Sequence, residues 1–110
     1  YDLSTEQATQ TDRRDAMLAT IATIKIKDGQ EAQFEEIAKQ LVAAVNANEP
    51  GCHLYTLNQG DEPLTYVVME RYADQAAADA HRASDHLRTL GRAMGAHMDG
   101  PPAVLRLQEV

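Results

Sequence analysis

The chain has 110 residues, 44% of them hydrophobic, enough for one domain with a single core and too few for two. A formal net charge of −7 argues against nucleic acid or an anionic membrane surface as partner, because phosphate is held chiefly by Lys and Arg. The single cysteine, Cys52, excludes an internal disulfide and any multi-cysteine metal or iron–sulfur centre.

Residues 1–15 are polar, almost free of large apolar groups and without a period, and read as a tail or arm outside the domain. The domain is expected over residues 16–110. It opens with "MLATIATIKI", 17–26, rich in β-branched and apolar residues and fitting a strand. "KDGQ" breaks the strand, and Asp28 followed by Glu31 has the spacing of a capping box. Phe34, Ile37, Ala38, Leu41, Val42 and Val45 then form one apolar helix face, with Glu35 and Lys39 as an i,i+4 pair outside it. Pro50 and Gly51 stop the helix.

"CHLYTL", 52–57, and "LTYVVMERY", 64–72, read as a hairpin joined by the polar "NQGDEP". Neither strand alternates cleanly, which fits a sheet covered on both faces. Asp74 caps a short helix, "QAAADAHRA", and Ser84 caps another, "DHLRTLGRAMGAHM", which Gly91 and Gly95 weaken. "DGPP" ends the helices and "AVLRLQEV" supplies a last strand. The order β-α-β-β-α-(α)-β is the ferredoxin-like arrangement, an α+β fold. No apolar run approaches the roughly 20 residues of a membrane span. The chain starts at Tyr1 without a visible signal peptide, so a cytoplasmic location is the expectation.

A metal pair on a helix needs ligands three or four residues apart. His81 and His86 are separated by five positions with a helix break at Ser84, so no metal is expected. There is no glycine-rich phosphate loop and no GxSxG nucleophile elbow. The acid–base reading fares better. Glu70 shares a strand face with Tyr66 and Val68, and a carboxylate in an apolar strand needs a partner. His81, four residues after Ala77 on the next helix, can orient against it and exchange protons near neutral pH. The bland alternative pairs Glu70 with an arginine at the sheet edge and leaves His81 half-exposed. Tyr55, Tyr66 and Tyr72 suit either a pocket wall or the core, while His53 and His86 suit a pocket edge or solvent.

"IKIKDGQEAQFEEIAKQL", "NEPGCHLYTL", "YVVMERYADQAAADAHRASDHLRTLG" and "GPPAVLRLQEV" together resemble the antibiotic biosynthesis monooxygenase family, in particular its small quinol monooxygenase type. The resemblance spans residues 17–110. It implies a ferredoxin-like βαββαβ chain with an antiparallel sheet, pairing as a homodimer into a dimeric α+β barrel. It further implies oxidation of a quinol or a small phenolic or polycyclic substrate by O₂ without metal or flavin: deprotonation, electron transfer to O₂ and radical recombination. Glu70 and His81 match the family's strand Glu and helix His as catalytic groups, and Tyr55 a tyrosine of its second strand. Tyr66, His53 and His86 fall at more variable positions that would bind substrate. The chain lacks tryptophan, unlike the haem-degrading relatives. An isomerase acting on a small phosphorylated substrate or hydroxy-ketone, anchored by Arg71, Arg88 or Arg92, and a non-catalytic small-molecule-binding or stress-response module are the competing readings.

Overall fold

The computed structural model describes residues 16–110; the tail read over residues 1–15 lies outside them. Four strands, β1 (Leu18–Lys25), β2 (Cys52–Gln59), β3 (Thr65–Tyr72) and β4 (Ala103–Gln108), form one sheet in the order β2-β3-β1-β4. All three pairings are antiparallel. Helix α1 (Glu31–Asn48) links β1 to β2, and α2 (Gln75–Arg82) with α3 (Asp85–Gly95) links β3 to β4. This is the ferredoxin-like α+β fold expected from the element order.

The periodic face of α1 is the face that packs. Phe34, Ala38, Leu41 and Val45 are buried against Ala22 and Ile24 of β1, Tyr66 and Val68 of β3, Tyr55 of β2 and Met94 of α3. Ile37 and Val42 pack at the margin of this cluster. Asp74 and Ser84 cap α2 and α3, their side chains accepting from the backbone N–H of Ala77 and Leu87, as their spacing predicts.

The capping box at α1 does not form. Gly29 turns the chain with φ +79°, so Gln30 is the N-cap and makes no side-chain cap bond. Its Oε1 lies 2.8 Å from His97 Nδ1, tying the start of α1 to the segment after α3. Asp28 and Glu31 are therefore not the reciprocal pair their spacing suggests. Helix α3 stops at Gly95, short of the expected Met98, which instead forms a bridge with Ile26.

The helices cover one face of the sheet. On the other face, Ile21 stands between Met69 and Leu105 in register. Leu54, Met69, Leu105 and Leu107 are exposed there, Leu105 to 54%. Among the described residues, helices therefore cover only one of the two sheet faces. None of the described helices is long and apolar enough to cross a membrane.

Candidate active site

Between the helix-covered sheet face and helices α1 and α3 lies an open cavity of about 420 Å³, within the range of small-molecule sites. Ala22, Ile24, Leu41, Val68, Leu87 and Met94 make its walls apolar, and the Gly100–Pro102 turn borders it. Among the described residues that line it, Glu70 is the only charged group and Tyr55 the only other polar side chain.

Glu70 reaches the cavity because residues 66, 68 and 70 of β3 share one face, and β1 and β2 flank them with Thr20 and Tyr55. Burial raises the Glu70 pKa above its ordinary value, against the lowering effects of a hydrogen bond from Tyr72 and of nearby His81. The Tyr72 hydroxyl donates to Glu70 Oε1. His81 stands behind this wall, 5% exposed, with its ring 5.2 Å from that of Tyr55 and 5.4 Å from that of Tyr72. Its Nε2 lies 3.8 Å from Glu70 Oε1. The structure thus brings Glu70 and His81 near one another, with His81 buried and Glu70 half-buried. Arg71 faces the opposite side of the sheet and pairs with Glu109 at 2.6 Å, so it is not a partner for Glu70.

On its far side His81 meets Glu49. Nδ1 lies 3.0 Å from Oε1 and 2.9 Å from Oε2 of that carboxylate. A carboxylate only accepts, so Nδ1 carries a hydrogen, and Nε2 is the ring nitrogen turned towards Glu70. His86 Nε2 donates to Glu49 Oε2 as well. The two histidines do not share a helix, yet they converge on one side chain from α2 and α3. Glu49 follows α1 directly, and the turn after it lies hard against α2. A Cβ on Gly51 would come within 2.6 Å of Ala77 Cβ, so glycine there permits the approach that delivers Glu49 to His81.

Of the remaining expected residues, Tyr55 lines the cavity while Tyr66 and His53 fall elsewhere. The Tyr66 hydroxyl donates to Glu35 of α1, and burial with that bond pushes its pKa up to about 12. It does not line the cavity. His53 is exposed at an irregularity in β2, where the register shifts between Cys52 and Leu54. The Tyr55 phenol, at the cavity wall, is raised above its usual pKa by burial and then by the charge of Glu70; it stays protonated and able to donate. One functional candidate is absent from the sequence reading, Glu49, and Tyr72, read there as pocket wall or core, is the donor to Glu70. For Tyr72 the signal was its place two residues after Glu70 on the same strand face. For Glu49 it was a carboxylate at the wrong end of a helix.

The family profile described as antibiotic biosynthesis monooxygenase matches residues 17–93. A candidate antibiotic biosynthesis monooxygenase from Caulobacter crescentus is 35% identical, with TM-score 0.86 over 94% of this chain and 98% of its own. A candidate monooxygenase of the same description from Bordetella bronchiseptica is 26% identical, with TM-score 0.73 over 86% and 98% of the two chains. One from Nitrosomonas europaea, 23% identical, shares the fold with TM-score 0.81 over 87% and 92%. No curated protein matches the chain. With the profile covering most of the domain and the fold agreeing throughout, the chain belongs to the antibiotic biosynthesis monooxygenase family.

Proposed function

We propose that this protein is a cofactor-independent monooxygenase that oxidises a quinol or a small phenolic or polycyclic substrate with O₂. The observation that carries the reading is an apolar cavity whose single charged lining group, Glu70, is buried and backed by an oriented imidazole. An aromatic substrate loses its hydration in such a cavity and gains apolar contact. Burial raises the basicity of the Glu70 carboxylate, suiting it to take a proton from a ring carbon or hydroxyl. His81 faces it with Nε2 and relays that proton, while Glu49 at Nδ1 holds the ring and stabilises its charged form. Tyr55 donates to the oxyanion that remains.

The substrate anion then passes one electron to O₂, and the radical pair recombines to a peroxide. The stored proton returns to the peroxide, which loses water. For an anthrone-like ring the CH₂ and O₂ become C=O and H₂O, with both oxygen atoms accounted for. In this reading the protein works as a homodimer, the open sheet face carrying Met69 and Leu105 closing against a second copy.

The test is O₂ uptake with a panel of reduced naphthoquinols and anthrones, in chelator. Wild type is expected to exceed the spontaneous rate. His81→Ala and Glu70→Gln are each expected to lose about 10²-fold or more, the usual worth of a positioned acid–base group. Uptake at the spontaneous rate for wild type across the panel overturns the proposal. The isomerase reading for a phosphorylated substrate lacks its cationic anchor: Arg71 pairs on the far face, Arg88 pairs with Asp85, and neither these nor Arg92 line the cavity.

A further inference from the structure

Glu49, His81 and His86 are more than a hydrogen-bonded cluster. They come from the ends of three helices: Glu49 just beyond α1, His81 in the last turn of α2, His86 in the first turn of α3. Their side chains are 9%, 6% and 20% exposed. One ligand-type atom from each lies within 4.8 Å of the other two. Both nitrogens already aim at one carboxylate oxygen, His81 through Nδ1 and His86 through Nε2.

We propose that Glu49, His81 and His86 form a binding site for a divalent transition ion of the zinc class. Two imidazoles and one carboxylate are a donor set that suits zinc, cobalt and nickel better than magnesium or calcium. Ligand bonds of about 2.0–2.2 Å place neighbouring donor atoms roughly 3–3.5 Å apart in a tetrahedron. The His81 Nδ1 to Glu49 separation of 2.9 Å is close to that span. The ion binds the lone pairs of His81 Nδ1 and His86 Nε2, each ring keeping one proton on its other nitrogen, and takes the carboxylate oxygen that the two rings now share. It leaves a fourth position open, with His86 as the more exposed side of the site.

The surroundings have the form of an outer shell. A ligating histidine is commonly steadied by a carboxylate at its second nitrogen. Glu70 lies on that side of the ring, 3.8 Å from Nε2 and beyond hydrogen-bond range, itself held by the Tyr72 hydroxyl. The site also bears on the proposed chemistry, and this clause alone rests on that reading. With Nδ1 bound to metal, the ring proton must sit on Nε2. The ion also takes over the Glu49 oxygens that otherwise hold the His81 ring, so His81 loses the partner that supports it as a proton acceptor beside Glu70. Metal occupancy therefore switches the proton relay off.

Titration of zinc sulfate into tag-free, chelator-stripped protein, followed by calorimetry, tests the site. One ion per chain is expected, with cobalt giving visible absorption bands of a low-coordinate nitrogen–oxygen site. His86→Gln and Glu49→Gln should each weaken zinc affinity at least tenfold, while His53→Gln, at the exposed β2 position, should leave it unchanged. Native circular dichroism of each variant is checked first; if one glutamine variant loses it, the other carries the test. Zinc affinity equal in wild type and the glutamine variants, or lost in His53→Gln, overturns the proposal. Zinc is also expected to suppress O₂ uptake reversibly. The two readings fail separately, since the uptake assay runs in chelator and the titration needs no substrate.

Discussion

Glu49 sits where the backbone carbonyls of α1 already concentrate negative charge, and the last turn of that helix holds no basic residue. A carboxylate there is unfavourable until donors reach it, and His81 and His86 are those donors. The oddity is legible in "NANEPG" without any structure, but its resolution is not, because the donors arrive from 32 and 37 positions downstream. Spacing along a helix detects neighbours within that helix. It cannot detect two histidines meeting across a break. Glu70 and His81 lay on adjacent elements, and the family resemblance named both. Cys52 shows residue-scale burial of another kind. Its thiol is raised to about 11 from 9.0, first by burial and then by the charge of Glu49. In the unfolded chain the thiol ionises near its ordinary value, so its contribution to stability is present below about pH 9 and is lost as pH rises towards 11. Thermal melts between pH 8 and 11 should therefore fall more steeply for wild type than for Cys52→Ala. Alkylation of the native protein by iodoacetamide at pH 8 should be slow compared with a free thiol.

At the scale of elements, α1 was the easiest to read because its apolar positions follow the helical period without interruption. Its start departs from the capping-box expectation because a single left-handed residue, Gly29, decides which side chain becomes the N-cap. Strand β2 runs two residues past "CHLYTL", to Gln59, since pairing with β3 continues beyond the apolar run. Helix α3 carries the opposite tension. Gly91 lies within it and lines the cavity, so the helix gives up propensity where a side chain would occupy the cavity margin. A Cβ at Gly91 would meet Leu87 at 3.7 Å, an ordinary contact. Gly91→Ala should therefore stabilise the fold by about 0.5–1 kcal/mol, a melting-temperature rise of roughly 2–8 °C. It should also raise KM for the larger polycyclic substrates more than for the smaller ones. Melting curves and O₂ uptake on the same preparation would separate the two effects, and an unchanged KM ratio would place the substrate away from α3.

For the whole molecule, the weak alternation of the strands points to a sheet covered twice, and the described residues supply only one cover. Leu54, Met69, Leu105 and Leu107 make the remaining face apolar enough to need another surface. A second copy is the occupant proposed above. Leu105→Asp on that face should convert a dimer to a monomer in sedimentation, with little effect on the fold of each chain because Leu105 is exposed in it. A wild type that sediments as a monomer at micromolar concentration would remove the second copy from the functional reading. The sheet order has one more consequence, for how the molecule is made. Strand β1 leaves the ribosome before the other three, yet it lies in the interior of the sheet, with Leu18 paired to Tyr72 on one side and to Gln108 on the other. At about 5–20 residues per second of synthesis, the first strand waits on the order of ten seconds for its second neighbour. Both edges of "LATIATIK" are unpaired until β3 is made and one remains so until β4 follows, so the nascent chain depends on α1 and its own solubility to stay out of other sheets.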